Sequence, residues 1–190
     1  MAIVGKLKSE IENIIGETYT ETEIIDIFNE CLREDLAPAL RLETKSSTTI
    51  TDGDTTVSLP DDLYKLVNVH MHNSDEYLRE VYLNDDNSSG YKTFDSVLEV
   101  RQDAKKLPDL LTIWYYRYPA AIASMTDTPD MPPQFHHALK YYFLGIKHDE
   151  SELQKFYLEK YMNMKTQIDE ASRKRAGIGK SRRVRKTYWF

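Results

Sequence analysis

A strand, a proline-rich crossing and a helix follow one another between Leu107 and Lys147, and this order constrains the fold more than any other feature. Leu110 to Tyr118 is rich in β-branched and aromatic side chains, which favour a strand because they pack well on a pleated surface. Pro119 ends that strand, and Pro132 and Pro133 keep the chain extended before the helix. The helix is predicted from apolar residues at helical spacing: Phe135, Ala138, Leu139, Tyr142, Phe143 and Ile146. The stretch predicts a scaffold and contains no catalytic motif.

Helical periodicity predicts two helices near the N-terminus and two near the C-terminus. Gly16 is a plausible end for the first helix, because glycine adopts the backbone conformation that terminates helices. Thr20 is an N-cap candidate for the second helix, which is expected to end before Pro38. The four helices are predicted at about residues 2–16, 22–36, 133–148 and 151–171.

A sheet is predicted between these helix pairs, at about residues 46–118. Two threonine-rich runs flank Asp52-Gly53, a dipeptide typical of tight turns, so the two runs are predicted to pair as a hairpin. Further strands are expected at about residues 66–72, 77–83 and 97–101, with a polar loop at 84–90. The fold class is therefore α+β: a helical bundle of two N-terminal and two C-terminal helices with a small antiparallel β-sheet insertion and a basic C-terminal extension.

Composition narrows the class of protein. Of the 190 residues, 41% are apolar and 29% are charged, as in a globular chain, and residues 1–171 are expected to form one domain. The sequence contains no apolar run of about 18 residues, so no membrane span is predicted. No secretory signal is visible either. Cys31 is the single cysteine and lies on the apolar face of a predicted helix, so we interpret it as a buried core residue. A single cysteine cannot form an internal disulfide, so the chain is expected to be assembled inside the cell.

The charge is distributed unevenly. The net charge is -6, but residues 172–190 hold eight of the 25 basic residues and no acid, which leaves 17 basic against 31 acidic residues, a net charge of -14, for residues 1–171. This basic segment ends in three aromatic residues. It is interpreted as a docking peptide for an acidic protein surface, with nucleic-acid contact and a solvated chain end as the alternatives. The candidate docking residues are Arg173, Lys174, Arg175, Lys180, Arg182, Arg183, Arg185, Lys186, Tyr188, Trp189 and Phe190.

Motifs for catalysis or metal binding were tested against the same sequence. His70 and His72 are spaced to share one face of a strand, as some metal sites require, but a third ligand is not evident. His136 and His137 are adjacent, so on a helix they point about 100° apart and cannot chelate together. The glycine-containing stretch 177–181 ends like a phosphate-binding loop but lacks the first glycine and a preceding strand. No catalytic residue, metal or cofactor is predicted.

Five segments follow one another in a characteristic order. They are TETEIIDIFNECLRE, VSLPDDLYKLVNVHM, LTIWYYRYPAAI, TDTPDMPPQFHHALKYYFLG and FYLEKYMNMKTQID. In this order the chain resembles the head–tail connector (adaptor) proteins of tailed bacteriophages. The resemblance covers Thr20 to about Ala171, and the basic aromatic extension is where the chain departs from the family's short C-terminus.

The resemblance implies a structural subunit without enzymatic activity. Such subunits form a ring beneath the portal, commonly of twelve copies, that links the capsid to the tail and lines the DNA conduit. The implied partners are further copies of the chain, the portal protein, a downstream tail or stopper protein and the DNA passing through, with no membrane. The implied location is the head–tail junction of the virion, after assembly in the host cytoplasm. Two other hypotheses stay open: a nucleic-acid-binding module that uses the basic tail, and a metal-dependent enzyme that uses His70 and His72.

Overall fold

The computed structural model describes residues 3–51, 54, 56–73, 75–81, 90–101 and 108–175. Two compact units divide the chain. A helical unit is formed by Met1–Arg41 and Pro119–Phe190, and a β unit by Leu42–Tyr118. This confirms the predicted mixture of helices with antiparallel sheet, whereas the predicted single domain over residues 1–171 stays a prediction.

Helices of the helical unit keep the predicted order but differ at two ends. The second helix is followed by a π-helix and then by a new helical segment that contains Pro38 in its first turn, where a missing N–H breaks no hydrogen bond. The last helix reaches Arg175, beyond the predicted end at residue 171. The segments are α1 (Ile3–Ile15), α2 (Glu21–Glu30), a π-helix (Cys31–Leu36), α3 (Ala37–Leu40), a 3-10 turn (Pro133–Phe135), α4 (His137–Lys147) and α5 (Ser151–Arg175).

The start of α2 follows from local chemistry. Thr20 caps it, with its hydroxyl oxygen accepting a hydrogen bond from the backbone N–H of Glu23 at 3.2 Å. Glu21 and Glu23 lie in the first turn, where the helix dipole favours negative charge. The predicted N-cap is confirmed.

Helix α4 carries the core of the helical unit, since it packs against α1, α2 and α5. Phe143 is fully buried, with its ring edge-on to those of Tyr19 and Phe28 at centroid distances of 5.0 and 6.4 Å. The Lys140 ammonium donates to the Glu10 carboxylate at 2.7 Å and so joins α4 to α1. The predicted apolar face is confirmed as core in part: Phe135, Ala138, Leu139 and Phe143 are buried, whereas Tyr142 is half-buried and Ile146 is 43% exposed.

The β unit contains two antiparallel sheets, with strand orders β1-β7-β3-β4 and β2-β6-β5. The predicted buried strand is β7, which pairs with β1 on one side and β3 on the other. The strands are β1 (Leu42–Ile50), β2 (Thr56–Ser58), β3 (Leu63–Met71), β4 (Glu76–Leu78), β5 (Gly90–Phe94), β6 (Val97–Arg101) and β7 (Asp109–Arg117).

The predicted hairpin between the two threonine-rich runs is wrong. One run is β1 and pairs with β7, and the other contains β2 and pairs with β6. Threonine and serine present no apolar face that would fix a pairing between the two runs, so the apolar partner strands decide their positions. The turn dipeptide Asp52-Gly53 lies outside the described residues.

One hydrophobic cluster contains side chains from both sheets, so the sheets share a core. Its members include Ile50, Val69, Met71, Tyr91, Leu98, Val100, Leu111 and Ile113. Strand β5 was not predicted; it begins at Gly90, where a side chain's Cβ would lie 2.5 Å from the carbonyl oxygen of Arg79. Glycine is needed there because the two backbones approach closely.

Candidate docking site at the end of the last helix

The last turn of α5 contains Arg173, Lys174 and Arg175, the first three predicted docking residues. The other predicted docking residues lie outside the described part of the chain: Lys180, Arg182, Arg183, Arg185, Lys186, Tyr188, Trp189 and Phe190. A docking role for the whole set therefore stays a prediction. The described part shows how the segment is attached to the helical unit.

The carbonyl oxygen of Leu40 anchors the end of α5. Leu40 ends α3, where carbonyls have no intrahelical partner, and Arg41 then turns the chain away with left-handed dihedrals (φ 46°, ψ 56°). The Ser172 hydroxyl donates to this oxygen at 2.9 Å, and the Arg175 guanidinium donates to it at 3.0 Å. Because Ser172 is buried, this contact is part of the folded unit.

Asp169 adds an ionic contact at the same place. Its carboxylate pairs with Arg41 at 3.0 Å and with Arg173, one turn further along α5, at 2.8 Å. The positive charges also suit the negative end of the α5 dipole. Two of the three described docking candidates are thus engaged within the unit, whereas Lys174 is exposed and forms no ion pair with any residue in the described ranges.

A partly buried polar network joins the middle of α5 to the π-helix. The Tyr161 hydroxyl and the Lys165 ammonium both donate to the carboxylate of Asp35. The Cys31 thiol lies 3.7 Å from the same hydroxyl. π-Helices are rare and often occur at functional sites. Here the π-helix carries Cys31 and Asp35, both of which contact α5.

Burial raises the pKa of two groups in this network, Cys31 and Tyr161. It raises the pKa of the Cys31 thiol to about 12, and the nearby Asp35 charge acts in the same direction. Burial also raises the pKa of Tyr161 above that of an ordinary tyrosine, with the Cys31 side chain and the hydrogen bond to Asp35 adding to the effect. Both groups therefore stay protonated at neutral pH, which makes Cys31 a poor nucleophile.

Each candidate metal ligand has its Nε2 atom in another contact. His70 Nε2 lies 3.3 Å from the Asp75 carboxylate, and His72 Nε2 lies 2.9 Å from the Thr112 hydroxyl. Within the described ranges, no three His, Cys, Asp or Glu side chains are placed to hold a metal ion. His136 and His137 also diverge, since the first contacts the Met131 carbonyl and the second lies near Glu10.

The Leu40 anchor and the Tyr161 network were not predicted from the sequence. Leu40 and Ser172 are 132 residues apart, and Tyr161 and Asp35 are 126 apart, so no local pattern connects them. The one available signal was Tyr161 itself, an aromatic residue within the last predicted helix, at about residues 151–171. An aromatic residue with a hydroxyl in a core usually finds a hydrogen-bond partner.

The contacts at the end of α5 and around Tyr161 hold the helical unit together. The family model described as SU10 adaptor protein matches residues 3–185, so the chain belongs to this family of phage head–tail adaptors. The chain is accordingly a structural component of a phage particle that associates with other head or tail proteins. This confirms the resemblance to phage connector proteins.

The match also reaches further than the resemblance did. It extends through most of the basic segment and stops before Lys186, so that segment is largely part of the family pattern. Among curated proteins, none matches this chain significantly. In the part of the chain that the structure describes, no helix is long and apolar enough to cross a membrane.

Proposed function

We propose that the chain is the ring subunit of a head–tail connector, in twelve copies beneath the portal, which links capsid to tail and lines the DNA conduit. The family match over residues 3–185 carries this proposal. A closed ring needs two different surfaces on each copy and no catalytic centre. The further partners are the portal above and a tail or stopper protein below.

The charge of the chain supports a role as a conduit. Residues 1–171 have 17 basic and 31 acidic residues, so a wall built from many copies carries a large negative charge. Such a wall repels phosphates, so passing DNA would not be held by the counterion-releasing contacts that basic surfaces make.

The basic segment supplies the contact with the portal. Its last described residues are held at the end of α5 by Leu40 and Asp169, which fixes the position of Arg175, the residue before 176–190. Those residues include five cations and three terminal aromatics, a composition that suits an acidic surface with apolar pockets.

The same composition supports a second function, in which the tail binds DNA. Cations neutralise phosphates and aromatic rings stack on bases, so binding would fall steeply as the salt concentration rises. A salt titration of binding to DNA tests this function, and absent or salt-insensitive binding would contradict it.

The deciding experiment mixes the chain with portal from the same source and images the product by electron microscopy. The matched variant is a deletion of residues 176–190, which leaves the bonds of Ser172 and Arg175 to Leu40 intact. A ring beneath the portal that is lost in the deletion supports both the connector function and the role of the tail. A ring that survives the deletion supports the connector alone, and no ring with the full chain contradicts it.

A further inference from the structure

The two sheets of the β unit are joined along one side. The Tyr91 N–H of β5 donates to the Arg79 carbonyl at 3.0 Å, and the Val81 N–H donates to the Tyr91 carbonyl at 2.9 Å. Residues 79–81 follow β4, so these bonds connect β4 to β5 and make one ladder that runs from β1 through β7, β3, β4, β5 and β6 to β2. The strands at its two ends, β1 and β2, do not pair with one another.

A cleft lies between these two end strands. It has a volume of about 550 Å³ and is lined by residues 46–50 of β1, residues 56–58 of β2, Asp54 and Ile113. Ile50 and Ile113 belong to the core of the β unit, and Val57 packs against that core. The cleft therefore has serine and threonine side chains along its edges and apolar side chains at its base.

The register of the sheet shows which backbone groups of β1 face the cleft. The His72 N–H donates to the Leu110 carbonyl at 3.0 Å, so Leu110 bonds on the β3 side of β7. Successive residues of a strand bond to opposite sides, so the next residue of β7 bonds to its partner on β1, Thr48. Ser47 and Thr49 therefore turn their backbone N–H and C=O groups toward the cleft.

The backbone groups of β2 that face the cleft follow in the same way. The Leu59 N–H donates to the Ser96 carbonyl at 2.7 Å, so Val57, two residues earlier, also bonds to β6. Thr56 and Ser58 then turn their backbone groups toward the cleft. Among the described residues, no backbone partner lies across the cleft from Ser47, Thr49, Thr56 or Ser58.

The part of β1 that lines the cleft lacks the features that usually protect an exposed strand edge. Residues 46–50 include no charged residue and no proline, and β1 pairs with β7 without a bulge. Unprotected edges of this kind recruit a further strand by backbone hydrogen bonding. Here two such edges flank one cleft, so a single inserted strand has hydrogen-bond partners on both sides.

We propose that this cleft receives one extended strand from the downstream tail or stopper protein, which pairs with β1 and β2 at once. The inference rests on the proposed function, which gives the portal contact to the basic segment and leaves the downstream partner without a surface on this chain. The inserted strand alternates apolar side chains toward Ile50, Val57 and Ile113 with polar ones toward solvent. It is free of acids, because Asp54 lines the cleft and residues 1–171 have a net charge of -14.

A second copy of the chain is the competing occupant, and symmetry argues against it. Pairing between the same edge of two copies has twofold symmetry, so it closes a pair of copies and does not continue around a ring.

Proline substitution on the open edge tests the insertion. S47P/T49P removes two N–H groups that face the cleft and none that bonds to β7, so β1 should persist, as edge strands with proline do. S47A/T49A is the matched control, because it also loses the bond between the Ser47 and Thr112 hydroxyls but keeps both N–H groups. Each variant replaces the chain in the phage, and the particles are imaged by electron microscopy. Tail attachment should fall by at least about tenfold in the proline variant relative to the alanine variant, while the ring beneath the portal remains.

The possible outcomes separate the insertion from the ring itself. Equal tail attachment in the two variants would overturn the insertion and leave the ring standing. Loss of the ring in the proline variant alone would assign the edge to a second copy and would also overturn it. Absence of a ring from particles with the unaltered chain would instead overturn the proposed function.

Hydrogen exchange tests the same edges without any substitution. Heads that carry the ring are compared before and after tail attachment, and overlapping fragments of residues 43–58 are analysed by mass spectrometry. The N–H groups of Ser47, Thr49, Thr56 and Ser58 should exchange at least about tenfold more slowly once the tail is attached. The N–H of Thr48 is the internal control, since it is already bonded to β7 and should change less. Unchanged exchange at the four open-edge positions would overturn the insertion.

Discussion

Replacing Tyr161 with phenylalanine should destabilise the helical unit by about 1–2 kcal/mol. The ring is 2% exposed, and its hydroxyl donates to the Asp35 carboxylate, so the variant removes a hydrogen bond to a charged group. Such a bond contributes about 1.5–3 kcal/mol when fully enclosed. The expected loss lies around the lower end of that range because the Asp35 side chain is 33% exposed and keeps its ion pair with Lys165.

The measurement is equilibrium unfolding in urea, followed by far-ultraviolet circular dichroism, to which helices contribute most. Tyr157→Phe is the matched control, because that ring stacks on Tyr141 at a centroid distance of 6.3 Å and its hydroxyl has no hydrogen bond within the described residues. The control should change stability by less than about 0.5 kcal/mol. Tyr161→Ala should cost about 3–5 kcal/mol, because it also leaves a cavity. Equal midpoints for Tyr161→Phe and the control would refute the view that this hydroxyl helps hold α5 to the π-helix.

Three further predictions follow from described contacts. Gly90→Ala should destabilise the β unit by about 1–3 kcal/mol, because the added carbon would lie 2.5 Å from the Arg79 carbonyl oxygen; an unchanged midpoint in urea, read by tryptophan fluorescence, would contradict the close approach. Cys31 is fully buried and its pKa is raised to about 12, so a thiol reagent should label it only as fast as the protein opens, and rapid labelling of the native chain would disprove its burial. Glu10 has a pKa lowered by its hydrogen bond from Lys140, so its charge stabilises the folded state at neutral pH and this stability is lost as pH falls through the native pKa. Glu10→Gln should therefore be less stable by up to about 1 kcal/mol at neutral pH and should match the parent chain in acid, which pH-dependent melting curves would test.

Local patterns predicted the elements whose own residues determine them. β7 was recognisable because its bulky side chains are buried and Pro119 follows it, and α4 because its apolar residues recur every three or four positions. Thr20 was recognisable as a cap because capping depends on the next three residues only. The α+β class followed from the order of these elements.

Sequence patterns did not predict the features that depend on contacts between residues far apart in the chain. β1 could not be assigned to β7 rather than β2, because its serines and threonines are compatible with either neighbour. The continuation of the helix past Pro38 depends on a π-helix whose Asp35 is bonded to α5. The docking candidates Arg173 and Arg175 were found by charge alone, but their contacts with Asp169 and Leu40 were not, because those partners are fixed by the tertiary fold.

The register of β1 with β7 places the two ends of the β unit next to each other. Leu42 pairs with Arg117, so the polypeptide leaves the helical unit and returns to it through neighbouring positions on two hydrogen-bonded strands, about 5 Å apart. A segment with adjacent ends can be lengthened, exchanged or removed with little loop-closure cost to the chain that surrounds it. The β unit can therefore be lengthened, exchanged or removed while both ends of the helical unit keep their spacing.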